Sequence, residues 1–461
     1  MKSKIITALA AFFITTSTFA GGLLTNTNHH AAYLRMLARG AHIGVEGVYY
    51  NPAGLAFLPA NGFYLSFTGQ SVYQDRDIYA RYKRYNLSQA GPVREDIDRF
   101  YHGTAAAPIM PSFHLAWKTD QWTLSASFDI AGGGGKASFD EGLPMFTSAA
   151  DALIFGQSMK MHSANPQIPV ITPDMYTINS SLDGRQYIFG YQMGLTYKIN
   201  DNFSAYAGAR MNYFDGSYDG FVDINADKDH LALQPTFDKL GLALDCSQKG
   251  WGLTPVVGID ARFNRWNFAA KYEFTTNMNI ENKTKKLQAP GNLEDPSHPM
   301  AAFRHGVNTP SDIPSLLTIA AEYQISDKLR AAGEFHFFDD THARMAGNKQ
   351  DYLNHGTREY LAGIEWDAIP SLTLSTGFQI TDYGLTDQFQ SDTSFSCDSY
   401  SIGLGGRFHI TERFNIDVAY FWSTYQDYTK KTDNYNGTGL SGENTYSRSN
   451  KIFGLSLNYK I

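Results

Sequence analysis

Fourteen stretches of this chain alternate polar with apolar residues, and most of them come in pairs around very short turns. From Arg413 to Thr424, Phe414, Ile416, Val418, Tyr420 and Trp422 share one face, with Asn415, Asp417, Ala419 and Ser423 opposite. Trp266, Phe268, Ala270, Tyr272 and Phe274 form a second such face, backed by Asn267, Lys271, Glu273 and Thr275. Tyr187, Phe189, Tyr191, Met193, Leu195, Tyr197 and Ile199 give a third. A period of two places these oily side chains on one side of a β-strand. The apolar faces are continuous enough to line hydrocarbon, so the charges behind them are read as facing a wet or filled interior.

The short turns fall at Thr119-Asp120-Gln121, Asn200-Asp201-Asn202, Asn264-Arg265, Ser326-Asp327-Lys328, Asp367 to Pro370 and Thr411-Glu412-Arg413. Asn, Asp and Pro gather there because their side chains bond locally or preset φ. The strands read as Gly62 to Val72, Ser112 to Thr119, Trp122 to Ile130, Tyr187 to Ile199, Phe203 to Phe214, Trp251 to Phe263 and Trp266 to Thr276. Seven more follow: Ser315 to Ile325, Leu329 to Phe338, Arg358 to Trp366, Ser371 to Thr381, Tyr400 to Ile410, Phe414 to Thr424 and Lys451 to Ile461. The expected fold is all-β, a 14-stranded antiparallel transmembrane β-barrel. An even count puts both termini at the short-turn, periplasmic side, with seven long loops facing outward. One of these, Ala131 to Gln186, is too long for a structureless connection. It opens on Gly132 to Gly135 and carries Met145, Phe146, Ile154 and Phe155, which leaves two readings: a segment folded over or into the barrel mouth, or a loop packed on itself.

Export agrees with this. Lys2 and Lys4 precede the apolar run Ile5 to Ile14 and the small residues up to Ala20, the layout of a cleavable signal peptide over residues 1–20. No later segment has the 18 consecutive apolar residues of a helical span. Tyr, Phe and Trp make up 14% of the chain, suiting aromatic girdles at two membrane interfaces. The formal charge of -7, about -9 without the leader lysines, argues against a nucleic-acid partner. The alternation Phe453, Leu455, Leu457, Tyr459, Ile461 ends the chain on a closing strand, similar to the C-terminal signal read by barrel-assembly machinery, although that signal usually ends in Phe.

Residues 21–61 carry no ladder pattern. Gly44 to Pro59 is too apolar to hang in water and too glycine-rich for a sound helix, so the lumen is the place to bury it. Tyr50-Asn51-Pro52-Ala53-Gly54-Leu55-Ala56-Phe57-Leu58 resembles the plug motif of the FadL/TodX family of outer-membrane transporters for long-chain fatty acids and aromatic hydrocarbons, especially its Bacteroidetes branch. The resemblance continues in Ile313 to Tyr323 and Gly403 to Phe408. It implies a plug, or hatch, over 21–61 inside a barrel of 62–461, passive uptake of a hydrophobic small molecule, and exit sideways through the wall. It also implies that Asn51, Pro52 and Ala53 face a kink in the strand that starts at Trp122, with Gly54 beside them.

A carboxylate-bearing substrate would need a cation in the lumen. Arg210, Lys271, Arg407, Lys198 and His336 are the wall candidates, and Arg35 and Arg39 those of the plug. Each has the alternative of pairing with Glu273, Glu334, Asp417 or Glu46 to stitch plug to wall. Cys246 and Cys397 are placed in outward loops, as a disulfide or as two free thiols. Asp219, Asp223, Asp227 and Asp229 raise the question of loop-bound calcium. No catalytic motif is present, no cofactor is called for, and no metal ligand set is assigned. A general porin and a structural or adhesive surface barrel remain as rivals. The remaining expectations are outer-membrane localisation amid lipid and lipopolysaccharide, and a monomer.

Overall fold

The computed structural model describes residues 29–88, 91–296 and 298–461. The expected leader, and residues 21–28 after it, lie outside the described residues. The strands are β1 Gly62–Ser88, β2 Gly91–Lys118, β3 Trp122–Phe139, β4 Tyr176–Lys198, β5 Phe203–Ala226, β6 Leu242–Phe263, β7 Trp266–Glu273, β8 Asn279–Gln288 and β9 Asn308–Pro310. They continue with β10 Leu316–Ser326, β11 Leu329–Phe338, β12 Arg358–Ile369, β13 Leu372–Asp382, β14 Ser399–His409, β15 Phe414–Tyr425, β16 Tyr428–Thr432 and β17 Gly442–Lys460. β1 to β7, β10 to β15 and β17 form a closed antiparallel ring of fourteen. The other three extend it: β8 prolongs the line of β7 along β6, β9 flanks β8, and β16 lies along β17. The ring shuts where Ile461 N–H donates to the Phe63 carbonyl at 2.9 Å, so the alternation at the C-terminus does close the barrel.

The outer face of the ring bears a belt of exposed oily side chains, among them Phe67, Met193, Leu253, Ile259, Ile319, Val418 and Leu455. Trp117, Trp122, Trp266 and Trp366 are exposed close to the short turns, where an aromatic girdle belongs. The tightest of those turns, Asn264-Arg265, holds Asn264 at φ +50°, a conformation Asn tolerates better than most residues.

The strands run further than the alternation of outward oily residues indicated. β1 and β2 form one hairpin of 27 and 28 residues, where Tyr73 to Pro111 read as a loop. The reason is a change of sign in the pattern. Up to Tyr73 the oily residues facing outward, Phe63, Phe67 and Tyr73, stand at odd positions of β1; beyond it the buried apolar residues are Ile78, Ala80 and Tyr82, at even positions facing inward. On β17, Phe453 and Leu455 face outward while Tyr446 and Ile452 face in. Above the membrane belt, water lies outside and the core inside, so the oily face turns round.

These tall hairpins surround an apolar core. Ile78, Tyr82, Tyr101, Phe139, Val222, Phe395, Tyr425 and Tyr446 pack with Met145, Phe146 and Ile154 of the 21-residue helix Pro144–Ala164. Thus the long connection contributes a helix packed into the mouth, the first of its two readings. Cys397 is buried in this core and Cys246 in a separate one with Leu244, Met300 and Phe303. Both thiols are free, and Cys246 lies in β6 rather than in a loop, which removes the disulfide. Asp219 and Asp223 likewise lie in β5, and no metal-binding group of acids is found among the described residues.

Candidate functional site

Residues 29–58 are almost wholly buried and bond to inward-facing side chains around most of the ring. Ala31 N–H donates to Ser456 Oγ of β17 at 3.1 Å, Tyr33 Oη to Gln379 of β13 at 2.6 Å, and Gly40 N–H to Glu334 of β11 at 2.7 Å. Asn267 of β7 donates to the Ala41 carbonyl at 2.6 Å, and Gln192 of β4 to that of Val48 at 2.9 Å. Glycine and proline keep this stretch from continuing as a helix: it makes one short helix, Ala31–Arg35, then single 3₁₀ turns at Val45–Val48 and Ala53–Phe57. Its backbone polar groups are instead satisfied by the wall, each such bond worth about 1 kcal/mol.

Most of the cations named from sequence form the ionic half of this attachment. Arg35 pairs with Glu365 and, at 2.9 Å, with Asp417, while its Nη1 donates to Ser375 Oγ at 2.8 Å. Arg39 pairs with Glu46 and, at 3.0 Å, with Glu365. Arg407 reaches Asp417 at 2.8 Å and Glu46 at 3.8 Å. Arg210 and Lys271 share Glu273, the lysine at 2.8 Å, and both guanidinium and ammonium lie over the Tyr49 ring. His336 sits between Glu334 and Glu359, and Lys198 pairs with Asp201 at the turn.

Asn51 to Gly54 dock elsewhere than the resemblance implied. Asn51 Nδ2 donates to Asp260 of β6 at 2.6 Å, the Pro52 carbonyl accepts from Thr196 of β4, and that of Ala53 from Ser204 of β5, both at 2.7 Å. A Cβ at Gly54 would collide with the Asn51 side chain, so this close approach needs glycine. The motif therefore faces β4, β5 and β6; toward β3 the bond is next door, from Thr123 Oγ1 to the Leu55 carbonyl at 3.5 Å.

The wall itself is interrupted between β2 and β3. Their pairing runs Lys118↔Thr123 to Phe113↔Phe128, stops, and resumes at Ala106↔Lys136. Two causes lie in the sequence. On β2, Pro108 and Pro111 have no N–H to give, and the strand bulges there so that Ile109 is 78% exposed. On β3, Gly133 and Gly135 adopt φ of +93° and +87°, and the register against β4 slips at both steps. A Cβ at Gly133 would strike the Gln186 carbonyl, and one at Gly135 the Ala106 carbonyl, so only glycine permits the path. Ala107, Met110 and Ile130 at the interruption cluster with Tyr49 and Tyr50, and Tyr187 and Phe189 of β4 pack against them. His114 of β2 and Asp129 of β3, 2.8 Å apart, bridge its lower corner, and Ser112 Oγ donates to the His29 carbonyl. Burial pushes the His29 and His30 imidazoles down to about 4, so both are neutral at pH 7.

Sequence reasoning named the glycines but missed the tyrosines behind the interruption, Tyr49 and Tyr50. The prolines of β2 were the available signal, since a strand with two prolines cannot pair fully on both sides.

A closed antiparallel barrel with an oily outer belt, and with no described helix long and apolar enough to cross a membrane, fits a bacterial outer-membrane β-barrel. Within that class, the structural neighbours are a FadL homologue and hydrocarbon channels. A Pseudomonas aeruginosa FadL homologue superposes with a TM-score of 0.63 at 15% identity, over 95% of this chain and 99% of that one. The P. putida toluene transporter TodX gives 0.53 at 12%, over 91% and 94%. The CymD monoaromatic hydrocarbon channel gives 0.53 at 10%, over 96% and 99%. At such identities the shared property is the fold, and at that level the resemblance read from the sequence holds. No protein-family model and no curated protein sequence matches the chain.

Proposed function

We propose that the protein passes hydrophobic small molecules, long-chain fatty acids or compounds of like character, passively across the outer membrane. Residues 21–61 act as a plug in this reading, the long-loop end faces outward, and cargo leaves sideways between β2 and β3. The carrying observation is the interrupted ladder, lined on the inside by Met110, Ile130, Tyr49 and Tyr50. An oily molecule gains about 0.8 kcal/mol per CH₂ taken from water, so a dry route from an apolar pocket into lipid is favourable where a wet pore is not. Breaking a ladder in hydrocarbon is costly unless the freed backbone groups find partners. Pro108 and Pro111, which bring no N–H donor, reduce that cost here.

Asn51, Pro52, Ala53 and Gly54, with Arg35, Arg39, Arg210, Lys271 and Arg407, are then gating residues. They hold the plug against the wall, and their exchange of partners would let it shift.

Locking the interruption tests the route. In a chain whose own cysteines are replaced by serine, Met110→Cys with Ile130→Cys places a thiol on each lip. Oxidation is expected to bring uptake of labelled oleate and toluene by cells down to the level of cells lacking the protein, with recovery on reduction. Unchanged uptake by fully cross-linked protein would reject lateral exit.

A further inference from the structure

The inward-facing arginines of the lower lumen all have carboxylates; two higher up do not. Arg76 of β1 and Arg448 of β17 are register partners, directly opposite on neighbouring strands, half-buried and facing the lumen. Like charges so placed repel at a separation of about 5 Å between Cβ atoms. No acid relieves them: neither guanidinium has a carboxylate within 4 Å among the described residues. The nearest acids in sequence, Asp75 and Asp77, belong to the opposite face, where they take Ser449 and His102.

What faces the pair is aromatic. Arg76 lies over the Phe395 ring at 4.9 Å and makes one long bond, 3.5 Å, to the Phe395 carbonyl; Arg448 lies over Tyr425 at 4.8 Å. Cys397, Tyr218 and Tyr383 are the other titratable groups nearby. Nε of each arginine is buried without a partner, as is Oδ1 of Asn450, the next inward residue of β17. The inward layer above is apolar, while the one directly below is the polar pair Gln74 and Asn450, with an apolar layer beneath that. Val72 and Ile452, one step below Gln74 and Asn450, belong to the cluster around the N-terminal segment. Ile78 and Tyr446, one step above, belong to the core at the mouth.

Two guanidiniums without an acid, with an oily layer above them and another beyond the Gln74–Asn450 pair, form a receptor for a particular shape of molecule. We propose that Arg76 and Arg448 bind the head of an amphipathic anion, a carboxylate with an apolar tail that lies along one of the flanking clusters. This rests on the channel reading and narrows it, because a neutral hydrocarbon would leave the arginines opposed and unsatisfied.

The test uses the whole purified protein in a neutral detergent, with decanoate and decanol as probes of equal tail length. The wild-type chain is expected to bind decanoate about tenfold more tightly than decanol, the equivalent of one charge-assisted hydrogen bond. Arg76→Gln and Arg448→Gln should each bind the two alike, lysine at either position should restore part of the preference, and Arg344→Gln, whose arginine pairs with Asp312, should keep it whole. Heat-modifiable gel mobility confirms that each variant is a folded barrel. A preference that survives in the glutamine variants, equal binding of both probes to the wild type, or displacement of decanoate by an equal concentration of sulfate would each overturn the site while leaving the channel intact. Failure to bind either probe would remove the channel reading as well.

Discussion

The lower and upper halves of the lumen are filled by opposite chemistry. Below, within the oily belt, the wall turns Glu273, Glu334, Glu365 and Asp417 inward, and the N-terminal segment is held by ion pairs and backbone hydrogen bonds. Above the belt the inward residues are Ile78, Tyr82, Tyr101 and Tyr446, packed on a helix. The difference teaches what each filling is suited to. Ion pairs between fixed wall groups are directional and can be exchanged one for another, which suits the shift proposed above for this segment. An apolar core has no such register, which would suit a cover in the proposed channel.

The strongest way to break the lower half is at Glu365, which takes Arg35, Arg39 and Arg330 together. Glu365→Ala leaves several buried cations with fewer counter-charges and should cost about 3–5 kcal/mol. Hydrogen exchange is expected to quicken over residues 29–58 and to stay unchanged over the helix Pro144–Ala164. If both quicken together, the halves are one cooperative unit and the contrast fails.

Acid sharpens the same contrast. The folded-state values of His29 and His30, about 4, lie below the ordinary 6.5, so the unfolded rings take up protons first as pH falls. The stability these neutral rings provide is complete above pH 6.5 and is lost progressively down to pH 4, roughly 2 kcal/mol per ring by pH 5. Exchange measured at pH 7 and pH 5, after correction for the intrinsic rate, should therefore show residues 29–58 loosening with acid. An Asn replacement of both histidines should flatten that dependence; an unchanged slope would assign it to other groups.

The two halves were also unequally legible. Wherever oily residues faced lipid, as at Phe63, Phe67, Trp266 to Phe274 and Phe414 to Trp422, period two placed the strand and even the turn that ended it. Above the belt the period persists but its oily face reverses, and a search for outward-facing residues reads Tyr73 to Pro111 as loop. Arg210, Lys271 and Arg407 were identified because their strands were, although Arg330 of β11 was not; Arg76 and Arg448 were passed over because they lie where the pattern had turned. The docking of Asn51 to Gly54 on β4, β5 and β6 could not be read at all. It depends on which lumenal side chains lie at one height of a tilted ring, and no local spacing records that.

A smaller cut in the upper half completes the comparison. Phe146 is buried where the helix Pro144–Ala164 meets the hairpins, and Phe146→Ala should cost about 3 kcal/mol through lost burial and the cavity left behind. The loss is local, because the helix is attached to the hairpins by apolar packing and bonds such as Met145 N–H to Asp392 at 2.9 Å, well away from the segment below. Protease cleavage within 144–164 is expected to accelerate in folded protein, while residues 29–58 keep their protection. A cover that loosens on its own should also admit ligand faster without changing where it settles. If instead Phe146→Ala frees the N-terminal segment as Glu365→Ala does, the apolar packing above is what seats the ion-paired segment below, and the two fillings act as one.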